Sequence, residues 1–239
     1  PLFALAWPIV VTQLLQVAYN LADTLWLGRY SAAAVGALSL AFPIIFLLLS
    51  VGGGFTVAGS TLVAQYTGAG GESSAGKAAG QTLSFVTALA VVLGALGFVV
   101  TGPVLSVLPA DPETARQVVP LAADYMRVFF LGTPFLFGFF VFSALMRGYG
   151  NTRTPMRVMA VSVGLNVVLD PVLIFGVPAL GVPELGVEGA ALATLIARAV
   201  ATVIGLYVLF GLGVGPQVRL EHLRPDLPTV RKIIDIGAP

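Results

Sequence analysis

Two carboxylates stand inside the most apolar parts of this sequence: Asp23, closing QLLQVAYNLAD at 13–23, and Asp170, in LNVVLDP at 165–171. Asn20 precedes the first by three residues and Asn166 precedes the second by four, spacings that put carboxamide and carboxylate on one helical face. Tyr19 adds a phenol one turn before Asp23, and Gln13 and Gln16 extend the same stripe. Carboxylates, carboxamides and a phenol together supply acceptors and donors for a proton or for a hard cation such as Na+. Pro171 follows Asp170 directly, so one backbone hydrogen bond is lost and a carbonyl about four residues earlier is freed. In a membrane that carbonyl needs another partner, and an ion or water can serve. A mid-bilayer carboxylate costs at least ~2.5 kcal/mol, so each aspartate is expected in a bundle interior or a water-filled cavity. The competing reading is interhelical glue at about 0.6 kcal/mol per contact, which suits Gln13 and Gln16 better than the aspartates.

The elements that must position these groups are transmembrane helices. Of 239 residues, 57% are hydrophobic and only 10% charged, with a mean hydropathy of +0.97, whereas soluble domains carry about 25% charged residues. Stretches long enough to cross about 30 Å of hydrocarbon lie at 2–27, 34–65, 80–107, 121–146, 157–177 and 189–213. They predict an all-α integral membrane protein with six transmembrane helices. GAGGESSAGK at 68–77, PADPE at 109–113, RGYGNTRTP at 147–155 and VPALGVPELG at 177–186 read as loops. Trp7 and Trp26 stand about 28 Å apart on a helix, as an aromatic belt would place them. The second span contains Gly52, Gly53 and Gly54, and is expected to be tilted, curved or locally broken.

Depth and charge orient the bundle. Asp23 lies about 9 Å before Arg29 and Asp170 about 10 Å before Val177, so the two fall at one level in the outer half. Connections after the second, fourth and sixth spans carry Lys77, then Arg147, Arg153 and Arg157, then Arg219, Arg224, Arg231 and Lys232. The other side has Arg29, Arg116 and Arg127, with Glu184 and Glu188 in its last loop. The positive-inside rule makes the even loops and the N-terminus cytoplasmic in a multi-pass protein of the plasma membrane.

Other signals point away from catalysis. GESSAGKA at 71–78 nearly matches a phosphate-binding loop, but Ala78 replaces the Mg2+-binding hydroxyl and no strand precedes it. It reads as a Gly-rich turn, with Gly76 and Gly80 as a helix-packing pair. There is no Cys and a single His, His222, so thiolate and His-cluster metal sites are excluded. His222 lies in a polar linker and is expected to be exposed, as are Asp111 and Glu113, beside a helix start near Pro112. With no HExxH or GxSxG, no enzyme is expected and no cofactor is implied. A net charge of +1 offers nothing to nucleic acid.

An ordered set of short motifs resembles the multidrug and toxic compound extrusion (MATE) family of secondary transporters. It comprises Pro8, NLADT at 20–24 with Gly28, LVAQ at 62–65 followed by Gly68 and Ala69, and YMR at 125–127. It continues through ALMRGYGNTRTPM at 144–156, LNVVLDP at 165–171 and GVEGAALAT at 186–194. The resemblance covers essentially the whole chain and implies one lobe of a twelve-helix transporter. Residues 1–213 would be the six-helix N-lobe, and 214–239 the cytoplasmic interlobe linker and the start of a second lobe. IIDIGAP at 233–239 echoes LFALAWP at 2–8, as expected where a second repeat begins, and with the Pro1 start suggests a fragment continuing past Pro239. The family's N-lobe cation site falls on Asp23, Asn166 and Asp170, with Thr194 as a further oxygen and Asn20 and Tyr19 as neighbours; Na+ would use Asp23, Asn166, Asp170 and Thr194.

The implied function is antiport, H+ or Na+ entering as the coupling ion while small amphiphilic cations are exported by rocking of the two lobes. The partners implied are those substrates, the bilayer and the C-terminal lobe. Two alternatives remain. A lipid-linked oligosaccharide flippase of the same superfamily would line its cavity with several basic residues, and the spans contain only Arg127 and Arg198. A non-transporting structural membrane subunit would use the aspartates as helix glue.

Overall fold

A computed structural model describes residues 2–107 and 111–237. Pro1, Pro109 and Ala110 of the predicted outer loop, and Ala238 and Pro239 of the terminal echo, lie outside the described residues. Six long helices follow one another: α1 (Leu2–Tyr30), α2 (Ala32–Gly68), α3 (Glu72–Val107), α4 (Pro112–Gly148), α5 (Arg153–Ile174) and α6 (Gly186–Gly211), with a short α7 (Leu227–Gly237) after them. All six are long and apolar enough to span a membrane, and no strand occurs among the described residues.

α4 is the most enclosed span and packs on α2, α3 and α6, while α1 packs mainly on α5. Apolar burial alone cannot hold helices together in lipid, so close packing must do it. Phe137, Phe139, Phe142, Leu145 and Met146 of α4 are almost fully buried, and small residues on the neighbouring helices receive them. A side chain at Gly52 of α2 would overlap the Phe137 ring, and one at Gly205 of α6 would overlap Phe142. α2 therefore runs unbroken through Gly52, Gly53 and Gly54; two of these glycines are contact points, since Gly54 faces the Gly237 carbonyl of α7.

The buried apolar side chains form two clusters. One contains Tyr19, Val163 and Ala201, the other Leu27, Ile174, Ala190 and Ala191. On each of α1, α5 and α6 a stretch lies between the two clusters, and it holds Asp23, then Asn166 and Asp170, then Thr194 and Arg198. The polar residues thus occupy one layer of the bundle.

Several boundaries differ from the sequence expectation. α3 begins at Glu72, so GESSAGK is mostly helix and the turn is only 69–71. α4 starts at Pro112, at the expected helix start, and within it Asp124 and Arg127 form a 3.8 Å ion pair. α5 stops at Ile174, three residues before Val177: Phe175 N–H bonds the Pro171 carbonyl and Gly176 takes φ +71, which only glycine adopts freely.

The segment after α6 is a docked strap, not a loose polar linker. Gly76 and Gly80 do not pack another spanning helix but the strap and its short 3-10 turn Leu220–Leu223; side chains there would meet the Gln217 carbonyl and His222. Gln81, 1% exposed, donates from Nε2 to the His222 and Arg224 carbonyls, both at 2.6 Å. Its Oε1 accepts the Asp226 N–H at 2.8 Å, and Ser84 Oγ donates to the Leu223 carbonyl at 3.1 Å. His222 is consequently mostly buried, its side chain 12% exposed, because its backbone is drawn onto α3. Ile233 of α7 is fully buried.

Asp226 caps α7 by accepting from Thr229 and pairs with Lys77 at 3.0 Å. Those two contacts, Thr229 first, hold its carboxyl below the usual carboxylate range. A depressed folded-state value contributes stability that is present above the ordinary value and lost as pH falls through the lower one. Hydrogen-exchange protection of 217–230, corrected for intrinsic rates, should therefore stay constant from neutral pH down to about 4 and weaken only below. Asp226→Ala should show the weakened protection already at neutral pH.

Candidate functional site

Asp170 and Asn166 are fully buried on α5, and Asn166 Nδ2 donates to Asp170 Oδ1 at 3.0 Å. The four-residue spacing read from the sequence makes this bond. Across the α1–α5 contact, Asp23 is 6% exposed and its carboxyl group lies within hydrogen-bonding reach of both the Asp170 carboxyl and the Asn166 carboxamide. Two ionised carboxylates are acceptors only, so a hydrogen bond between them requires a proton on one; a cation between them serves the same purpose. Asp23 Oδ1, Asp170 Oδ2 and Asn166 Oδ1 are buried without a hydrogen-bond partner. Such oxygens are costly in hydrocarbon unless a proton, cation or water completes them.

Tyr19 and Thr194 lie together one turn away. Tyr19 is 3% and Thr194 7% exposed; the phenol faces Thr194 and Arg198, yet the Tyr19 and Thr194 hydroxyls have no well-formed hydrogen bond. Asn20 lines the same cavity as Asp23, described below, without a hydrogen bond to it. It is exposed, and its Oδ1 accepts from Gln16 Nε2 at 3.2 Å instead of supporting Asp23. Both spacings keep the pair on one helical face; what differs is the bond made, Asn166 Nδ2 going to Asp170 and the Asn20 carboxamide being taken by Gln16.

Arg198 of α6 was not among the residues singled out for the site. It is the largest side chain buried this completely, 2% exposed. Its Nη2 donates to Gln16 Oε1 at 2.9 Å and its Nη1 to Met159 Sδ at 3.2 Å. The guanidinium lies 4.6 Å from the Tyr19 ring centre and 5.2 Å from that of Phe139. Gln16 is thus interhelical glue, joining α1 to α6. The signal was present in the sequence: a lone cation inside an apolar span is as costly as a lone carboxylate.

A cavity of about 380 Å³ opens beside these groups, between α1, α2, α4 and α6. Asp23, Tyr19, Asn20, Thr194 and Arg198 are among its polar lining, with Gln13, Gln16 and Thr24 on the same stripe of α1, and Phe42, Phe46, Phe129 and Phe140 are among its apolar walls. Asp170 and Asn166 do not line it; they stand behind Asp23, so α1 separates the buried half of the carboxylate pair from the cavity. No group of three Asp, Glu or His fit for a tightly held metal occurs among the described residues. The arrangement suits exchange of a proton or a monovalent cation next to an aromatic surface that can take a flat apolar molecule.

Six spanning helices around such a cavity define one lobe of a membrane transporter. The MatE family profile matches residues 8–172, and the chain belongs to the MATE family. It is 35% identical to a probable multidrug resistance protein, YoeA, of Bacillus subtilis over 84% of this chain and 42% of the relative. It is 31% identical to the probable multidrug resistance protein NorM of Thermotoga maritima over 100% of this chain and 50% of the relative. A solved outward-facing multidrug resistance MATE family transporter superposes with a TM-score of 0.82 at 28% identity, covering 98% of this chain and 50% of that one. The chain spans about half the length of these relatives and corresponds to one of their lobes.

Removing one partner of a buried polar pair leaves the other unsatisfied, at a cost of about 1–3 kcal/mol. Asn166→Leu is expected to lower thermal stability by that amount in the detergent-solubilised full-length protein. In Asn166→Leu with Asp170→Leu the loss should be smaller than the sum of the single losses, measured by a double-mutant cycle in scanning fluorimetry.

Proposed function

We propose that this chain is the cation-coupling lobe of a secondary active antiporter that exports amphiphilic organic cations in exchange for H+ or Na+ across the plasma membrane. The observation that carries this reading is the meeting of Asp23 and Asp170 from different helices, with uncapped oxygens and no basic side chain in ion-pair contact, at the edge of an aromatic cavity. Asp23 is where coupling ion and substrate compete, since it alone of the pair reaches the cavity. Asp170 shares the ion with it, and Asn166 holds Asp170 in place. A proton needs only the carboxylate pair; Na+ would draw on Asp23, Asp170, Asn166 and Thr194 oxygens. Among the described residues Arg198 is the one basic side chain lining the cavity, which fits a cationic substrate better than a pyrophosphate-linked lipid.

In proteoliposomes holding the full-length protein, an imposed pH or Na+ gradient should drive efflux of a fluorescent organic cation. Asp23→Asn and Asp170→Asn should each reduce it at least about tenfold, equivalent to ~1.4 kcal/mol of lost coupling. Unchanged gradient-driven efflux in both variants overturns the assignment.

The orientation with the N-terminus inside rests on basic residues at one end of the bundle: Lys77 pairs with Asp226 of the docked strap, Arg219 and Arg224 lie on the strap itself, and Arg147 lies in the last turn of α4. This chain has no Cys, so single introduced thiols report sidedness. Glu184→Cys should react with a membrane-impermeant maleimide on intact cells, and Ser73→Cys only after permeabilisation.

A further inference from the structure

The antiport reading uses the carboxylates and leaves Arg198 unexplained. Its burial is costly, because an arginine stays charged and mid-bilayer charge carries a penalty of several kcal/mol. Helix glue does not require that penalty, since a neutral amide or hydroxyl could bond Gln16 equally well. Nor is Arg198 half of an ion pair: among the described residues no carboxylate lies in salt-bridge contact with it. Its partners are the Gln16 carboxamide oxygen, the Met159 sulfur and the faces of Tyr19 and Phe139. All four are neutral. They stabilise the positive charge without cancelling it, so its field extends into the cavity that Arg198 lines.

The ionisable groups facing this layer can be named helix by helix. α1 contributes Tyr19 and Asp23, α4 contributes Tyr125, α5 contributes Asp170, and α6 contributes Arg198 itself. With both phenols neutral, two carboxylates and one guanidinium leave the layer with a single negative charge. One added positive charge neutralises it, and a second has no counterpart in low dielectric.

We infer that Arg198 is a built-in counter-cation that fixes the charge capacity of the cavity at one, selecting organic monocations over organic dications. This deepens the antiport reading and rests on it. Arg198 acts through the carboxylates and need not touch the substrate, which agrees with its 2% exposure. Tethering by Gln16 and by the two rings keeps the charge at a fixed distance from Asp23 while the cavity fills.

The test is equilibrium binding to the purified full-length protein, comparing tetraphenylphosphonium with a bis-quaternary ammonium of similar apolar area. A unit charge at a separation on the order of 10 Å, in an effective dielectric of about 20, changes an affinity roughly tenfold. Arg198→Gln should therefore shift the dication-to-monocation affinity ratio roughly tenfold toward the dication. Arg198→Met, which suits the Met159 and Phe139 surroundings, should give the same shift and stands in if the glutamine variant does not fold. Arg198→Lys keeps the charge but loses the planar fork, and should keep the wild-type ratio. Arg198→Gln combined with Asp170→Asn restores a single net negative charge and should restore that ratio.

An unshifted ratio in the neutral variants, or an equal shift in the lysine variant, overturns the inference while leaving antiport intact. A wild-type protein that binds neither probe overturns the antiport reading and this inference with it.

Discussion

A charged group among apolar helices has no water to fall back on, and the contact between Asp23 and Asp170 is the constraint from which the rest of this lobe follows. Each carboxylate alone would be a liability of several kcal/mol. Brought together from α1 and α5 they leave buried oxygens without partners, which a proton or cation would complete. The two apolar clusters isolate it from both ends of the bundle, and Asn166 fixes its deeper half. Keeping this layer narrow requires helices that approach closely, which is why glycines of α2 and α6 receive the rings of α4.

The same layer explains the placement of Arg198 and Gln16. Next to a carboxylate pair, a guanidinium held by an amide oxygen and two ring faces adds a fixed positive charge without closing the site as a salt bridge would. The cavity then combines an aromatic wall with a small, defined charge. On the proposed antiport reading, that combination would take a flat, apolar, singly charged molecule in exchange for one ion.

The docked strap belongs to a different part of the fold but follows the same physics. Gln81, buried in α3, can be satisfied only by a backbone brought to it, and the carbonyls of His222 and Arg224 and the amide of Asp226 fill that role. The path of the chain after α6 is thus set by a buried polar group on α3. α7 then lies against Gly54 and Phe55 of α2, so the segment after α6 packs as part of this lobe.

The sequence by itself determined the number of spans, the two costly carboxylates and the Asn166–Asp170 pair, because hydropathy and helical spacing are local quantities. It also carried the family, since the ordered motifs survive in a linear comparison. Only the tertiary structure decided which polar residues meet. Asn20 shares a face with Asp23 yet bonds Gln16, four residues back along the same stripe, because spacing sets which partners are within reach and packing decides which one is taken. Gly76, Gly80 and His222 looked like a helix-packing pair and an exposed linker residue until the strap folded onto them. Arg198 is visible as a lone cation, but its bond to Gln16 beside Tyr19 depends on α1 and α6 converging, a relation between Gln16 and Arg198, 182 positions apart, that no local pattern encodes.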